Sequence, residues 1–122
     1  MPASTVSFRQ QELVNHYLRL LDEHLQELKE GKADRTLEIR DFAAKLHVHP
    51  VHLSNTIKEV TGRSTCDFYE EKLVAIAKEL LLTTSLSIGQ IAAQMTYDPS
   101  NFTKFFKQYT GLTPKGFRNS KI

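Results

Sequence analysis

The sequence is poor in the residues that build tight turns, crosslinks and membrane spans. Five glycines and four prolines in 122 residues are too few for a many-stranded all-β protein. A single cysteine, Cys66, excludes an internal disulfide framework and fits a reducing compartment. No run of about 18 apolar residues is present, so no membrane-spanning helix is expected. The N-terminus carries no basic-then-apolar signal pattern, and a cytoplasmic location is expected. Catalytic signatures are lacking too. No Gly-rich phosphate loop, Gly-x-Ser-x-Gly or His-Glu-x-x-His occurs. His47, His49 and His52 are spaced two and three apart, which does not place all three on one helix face, and no Cys or carboxylate completes a common ligand set. Cys66 has no neighbouring His or basic pair to activate it. The chain is therefore expected to have no catalytic residues, no metal and no cofactor, and not to be an enzyme.

What is present has globular proportions, 40% apolar and 25% charged. The net charge of +2 is an average over unequal segments. Residues 1–35 carry a net −1, residues 36–98 a net −2, and residues 99–122 a net +5 from Lys104, Lys107, Lys115, Arg118 and Lys121. A local basic face matters more for phosphate attraction than the global sum.

Residues 1–8 read as a disordered lead-in. A helix follows from Arg9 to about Lys29, with Leu13, Val14, Tyr17, Leu18, Leu21, Leu25 and Leu28 at spacings of three and four. Part of this stripe (Val14, Leu18, Leu21, Leu25, Leu28) is heptad-like. It can pack on the rest of the chain, or serve self-association through the N-terminal helix.

The chain then repeats itself. Residues 37–68 laid over 86–117, an offset of 49, give nine identities in 32 positions: Leu37/Leu86, Ile39/Ile88, Ala43/Ala92, Ala44/Ala93, Pro50/Pro99, Lys58/Lys107, Thr61/Thr110, Gly62/Gly111 and Phe68/Phe117. Each copy reads as a short helix, a three-residue turn, and a second helix opened by Pro, with Leu53 and Ile57, or Phe102 and Phe106, facing inward. Asp98 is a good N-cap for the second copy and His49 a poorer one for the first. Two helices joined this way make a helix-turn-helix unit, and the Ala pair allows their close approach. Between the copies, a helix over 66–82 is apolar on more than one face and is expected to be largely buried. The division is thus a lead-in over 1–8, an N-terminal helix plus first unit over 9–65, a linker helix over 66–82, and a second unit with a C-terminal helix over 83–122. The fold class is all-α: two helix-turn-helix subdomains joined by a central linker helix, about seven helices in all.

Three stretches carry a resemblance: Leu86-Ser-Ile-Gly-Gln-Ile-Ala-Ala, Asp98-Pro-Ser-Asn-Phe-Thr-Lys-Phe-Phe-Lys-Gln-Tyr-Thr-Gly, and Thr113-Pro-Lys-Gly-Phe-Arg118. They resemble the C-terminal DNA-binding domain of AraC/XylS-type bacterial transcription regulators over residues 10–120. The first copy shows the weaker pattern, Phe42-Ala-Ala-Lys-Leu and Pro50-Val-His-Leu-Ser-Asn-Thr-Ile-Lys. The sequence departs from the family in the turns, where His47 and Thr96 stand in place of the usual Gly. The second turn is also one residue shorter than is common. A β-branched Thr suits positive φ poorly, so a different geometry is expected there. In the linker helix Leu73 replaces a usual Arg. The family's effector-binding or dimerisation domain has no counterpart here, which leaves open a fragment or a stand-alone regulator.

The resemblance implies sequence-specific binding of double-stranded DNA in bacterial transcription regulation, near the nucleoid, with RNA polymerase as a further partner. Helix geometry selects the outward residues. Val51, Ser54 and Asn55 on the first recognition helix, and Ser100, Thr103 and Lys104 on the second, are candidates for base contact. Lys58, Lys107 and Lys115 are candidates for phosphate. Arg118 either meets phosphate or braces the C-terminal helix. Thr36 and Ser87 either present helix N-termini to phosphates or simply cap. Two units on one chain are expected to enter successive major-groove segments, about 34 Å apart. The second is expected to anchor, and the first to contribute less affinity and more discrimination. The alternative to all of this is a helical protein-interaction module with weak or lost DNA binding, its polar helix faces merely solvated.

Overall fold

A capping box starts the first helix. In the structure, a computed structural model that describes residues 7–120, the Ser7 hydroxyl accepts from the Gln10 N–H at 3.1 Å, and Gln10 Oε1 accepts from the Ser7 N–H at 2.9 Å. Helix α1 therefore runs from Phe8 to Lys29. Of the lead-in expected over 1–8, residues 1–6 lie outside the described residues. Six more helices follow: α2 (Ile39–Leu46), α3 (Pro50–Thr61), α4 (Thr65–Thr83), α5 (Ile88–Gln94), α6 (Pro99–Thr110) and α7 (Pro114–Asn119). The described residues contain these seven helices and no strand, the all-α fold expected from periodicity.

The chain divides into two compact units. One takes α1 through His24 together with Leu37–Glu70; the other takes Leu25–Thr36 together with the chain from Glu71 onward. The boundary falls inside α1 and inside α4, and each unit has its own core. In the first, Val14, Tyr17, Leu21, Phe42, Ala43, Leu53 and Ile57 are buried. Phe42 meets the Tyr17 ring edge-on at 5.3 Å. His24 lies 6.0 Å from the Phe42 ring, and its Nε2 accepts from the Leu37 N–H at 3.1 Å. That bond satisfies a backbone donor where the chain enters α2. In the second unit, Leu25, Leu28, Leu73, Ala77, Ile91, Met95, Phe102 and Phe106 are buried. Leu73 has no exposed surface, so an apolar residue fits where the family pattern has Arg. Four of the five heptad-like residues of α1 (Val14, Leu21, Leu25 and Leu28) are spent in these cores.

The 49-residue repeat is repeated in three dimensions. Helices α3 and α6 have the same length and the same ends, with Gly62 and Gly111 in left-handed C-caps at φ 77° and 86°. Thr61 Oγ1 donates to the Ile57 carbonyl at 2.6 Å and accepts from the Arg63 N–H at 3.1 Å. Thr110 Oγ1 makes the matching pair with Phe106 and Leu112, at 2.9 and 3.2 Å. The interhelix turns match as well, contrary to the expectation for Thr96. His47 sits at φ 59° and Thr96 at φ 62°. In each turn two backbone bonds close the end of the helix: His47 N–H to Ala44 O with Val48 N–H to Ala43 O, and Thr96 N–H to Ala93 O with Tyr97 N–H to Ala92 O. The Thr96 hydroxyl is also hydrogen-bonded to the Thr36 hydroxyl. Only the first Ala of each pair is buried; Ala44 and Ala93 are exposed, so close approach rests on Ala43 and Ala92.

Both second helices carry Pro at the first position and a side-chain cap. Asp98 accepts from the Ser100 and Asn101 N–H groups at 3.1 and 3.3 Å. His49 accepts through Nδ1 from the Val51 N–H at 3.1 Å, so the weaker residue still caps. Asp98→Ala should lower stability by about 1 kcal/mol, and His49→Asp should raise it by about 0.5 kcal/mol, because a carboxylate adds an acceptor and favourable charge at a helix N-terminus. Urea unfolding of the two variants beside the parent checks both signs.

Tyr17 supplies a pH-dependent signature of the first unit. Burial, with a smaller contribution from Cys66, pushes its phenol from 10.0 up to about 12. A raised acid favours the neutral form in the folded state. Its stabilisation is complete below pH 10 and is lost as pH rises through 12, a change of roughly 2–3 kcal/mol. Tyr17→Phe should remove that loss, so the parent-minus-variant difference in urea stability should shrink between pH 10 and 12.

Candidate nucleic-acid interface

Burial of one helix face determines which side chains remain outside. Leu53 and Ile57 are fully buried on α3, as are Phe102 and Phe106 on α6. The opposite faces carry the residues expected from helix geometry. On α3, Val51, Asn55 and Lys58 are exposed and Ser54 is half-buried. On α6, Ser100, Lys104 and Lys107 are exposed and Thr103 is half-buried. Val51 is an apolar side chain 59% exposed in the first turn of its helix, next to the cap. His52 and Asn101 are exposed beside these faces and were not among the expected contacts. Their position directly after Val51 and Ser100 was the available signal.

These side chains are unengaged. Asn55, Lys58, Lys104 and Lys107 make no hydrogen bond or ion pair with the described residues. Acidic groups near the two faces differ. Glu59 is exposed next to Lys58 and accepts from Gln10 Nε2 at 2.6 Å. The sequence after the cap Asp98 has no acidic residue, and Lys115 is exposed in the first turn of α7. Such a distribution attracts an anion chiefly to the second unit.

Three of the expected phosphate positions take more specific places. Arg118 is half-buried. Its Nε donates to the Leu81 carbonyl at 2.9 Å and its Nη2 to the Thr84 carbonyl at 3.4 Å. A cation there satisfies orphan carbonyls at the C-terminal end of α4 and opposes the negative end of the helix dipole. This is the bracing alternative, and it commits two of the three guanidinium nitrogens. Thr36 does not start α2. The N-cap is Glu38, whose N–H donates to Asp41 Oδ2 at 2.7 Å, so that helix start is acidic and unsuited to phosphate. Ser87 does cap α5: its hydroxyl accepts from the Gln90 N–H at 3.1 Å, and Gln90 Oε1 accepts from the Ser87 N–H at 2.8 Å. The described residues contain no group of three or more His, Cys, Asp or Glu able to hold a metal.

Comparison with known proteins matches this arrangement. A family model described as a helix-turn-helix domain matches residues 42–120. The arabinose operon regulatory protein of Escherichia coli is 29% identical over 97 residues, covering 79% of this chain and 33% of that protein. The C-terminal domain of AraT, a response regulator from Geobacillus stearothermophilus, superposes with a TM-score of 0.79 at 28% identity, covering 98% of this chain and 90% of that one. The DNA-binding domain of AdpA, solved in complex with a target DNA, shares the fold, with a TM-score of 0.72 at 17% identity and coverage of 86% and 91%. The chain spans between 11% and 39% of the length of the curated relatives it matches.

Arg118 and Lys115 should separate by stability. Arg118→Ala should cost about 1–2 kcal/mol, since two carbonyls lose a charged donor, and Arg118→Lys should not restore it, because a single ammonium cannot reproduce the fork. Lys115→Ala should stay within about 0.5 kcal/mol of the parent. Urea midpoints of the three variants decide the point.

Proposed function

The chain belongs to the AraC-type helix-turn-helix family, and on that footing we propose that it regulates bacterial transcription by binding double-stranded DNA through α3 and α6. The observation that carries this reading is the pair of outward helix faces with unengaged polar and cationic side chains, presented at matching positions 49 residues apart. The N-terminal turns of α3 and α6 lie in major-groove segments. Val51, Ser54 and Asn55 meet base edges in one segment, and Ser100, Thr103 and Lys104 in the other. Lys58, Lys107 and Lys115 neutralise phosphates, and Ser87 keeps its hydroxyl proton to donate to another. Arg118 and Thr36 are left out of this set, since one braces α4 and the other bonds to Thr96. Binding is non-covalent readout with no chemical step. The occupied site then recruits or blocks RNA polymerase in the bacterial cytoplasm. Self-association through α1 is not part of the proposal, because its apolar stripe is buried in the chain's own cores.

Salt titration of a labelled duplex, its sequence taken from random-site selection, tests the proposal. Affinity should fall linearly on a log–log plot, with a slope of about 0.9 per phosphate neutralised. Lys107→Ala should weaken binding evenly across sequences and reduce the slope by about 1, whereas Lys104→Ala should also relax preference at one base pair. A chain that serves only as an interaction module would enrich no sequence.

A further inference from the structure

The two outward faces correspond position by position. An offset of 49 pairs Val51 with Ser100, Ser54 with Thr103, Asn55 with Lys104 and Lys58 with Lys107. Helices α3 and α6 have equal length, a capped Pro start, a glycine C-cap and the same inward positions, so each pair occupies the same place on its helix. The pairs then sort into two kinds. Lys58 and Lys107 are identical, and Ser54 and Thr103 both offer a hydroxyl. Val51 and Ser100, or Asn55 and Lys104, have unlike chemistry.

Identical side chains on equivalent positions suit a partner that is the same at both. A lysine one turn beyond the base-contacting positions meets the phosphate backbone, which is the same everywhere. Unlike side chains on equivalent positions impose unlike demands. Asn55 offers an amide that gives and receives one hydrogen bond each, which matches adenine N6 and N7. Val51 precedes it by four residues, so the two are neighbours on one helix face. Being apolar and 59% exposed, Val51 gains by packing on a methyl group. In the major groove only thymine offers one. Lys104 offers donors alone, which match the two acceptors O6 and N7 of guanine. Ser100, four residues before it, donates or accepts and adds no apolar demand. The amide and the cations of this scheme are not diverted, since Asn55, Lys58, Lys104 and Lys107 make no bond with the described residues.

We infer that the target contains two dissimilar parts: an A·T part read by Asn55 and Val51, and a G·C part read by Lys104 and Ser100, each held by its own lysine on the backbone. This rests on the DNA-binding function proposed above and specifies its site. The specificity-determining pairs are Val51/Asn55 and Ser100/Lys104.

Random-site selection on the full chain tests it with three proteins: the parent, the double variant Val51→Ser with Asn55→Lys, and Lys104→Asn. All three substitutions are on outward positions, and thermal melting checks that the fold persists. The parent should enrich one part requiring an A·T pair and another requiring a G·C pair, with replacement of either costing about tenfold in affinity. The double variant gives the first face the chemistry of the second, so its first part should change from A·T to G·C. Lys104→Asn should change the second part from G·C to A·T while leaving the first alone. Two like parts for the parent, or variants that select the parental sequence unchanged, would overturn the inference and leave DNA binding standing. Failure of the parent to enrich any sequence would instead overturn the DNA-binding reading, and this inference with it.

Discussion

Everything outward on α3 and α6 depends on a left-handed residue that is not glycine. His47 and Thr96 hold φ near 60° at the start of each interhelix turn, a conformation that costs an L-residue roughly 1–2 kcal/mol. Such strain persists only where the surroundings over-determine it. Here two backbone bonds close each turn, and in the second the Thr36 and Thr96 hydroxyls pair as well. Once the turn is closed, little freedom is left. The cap follows two residues later, Pro takes the next place, and the inward pair comes four and eight residues after the cap. Residues 51, 55 and 58 on α3, and 100, 104 and 107 on α6, are then left exposed on the opposite face.

This chain of dependence explains why so much was legible in the sequence. The repeat at 49, the prolines, the glycine C-caps and the spacing of Leu53/Ile57 and Phe102/Phe106 are local patterns, and local patterns fix helix ends and helix faces. What escaped was of two kinds. One was geometry that a neighbouring group rescues: Thr96 reads as a poor left-handed residue, but its hydroxyl has a partner 60 residues away in Thr36. The other was a side chain that reaches a distant backbone. Arg118 bonds to a carbonyl 37 residues earlier, and no periodicity records that. Thr36 was misplaced because the start of α2 was set by Glu38 and Asp41, an acidic pair that does not resemble the Ser87/Gln90 box of α5. A capping His likewise leaves a weaker trace than a capping Asp, since an imidazole offers only one acceptor.

The charge asymmetry acquires a physical meaning in the same terms. Both copies keep one lysine at the same outward position, so each face has one cation in the same place. Apart from Lys104 on α6, the further cations of the C-terminal segment follow the recognition helix: Lys115 and Arg118 on α7, with Lys121 after it in the sequence. Added there, they raise attraction to phosphate without occupying positions that face bases. In the first unit the neighbouring Glu59 offsets Lys58, so in the proposed DNA binding the first face relies more on Val51 and Asn55 and less on charge. Apolar and amide contacts vary with the base, whereas phosphate contacts do not. A weakly charged face is therefore the more discriminating one, and a strongly charged face the more adhesive.

Duplication of such a unit separates two demands that usually compete. Inward positions are costly to change: emptying the volume of a buried Leu or Phe loses about 2–5 kcal/mol, a large share of a small domain's stability. The repeat accordingly keeps these positions apolar in both copies. The exposed outward positions are nearly free to change, typically within about 0.5 kcal/mol, because the core does not depend on them. Two copies of one scaffold can thus hold identical backbones and identical phosphate contacts while presenting different groups to the bases. The turn makes this possible, since it fixes the face without involving any residue on it. A stable fold and a specific surface are then set by disjoint groups of residues, and a change in what is read need not change what folds.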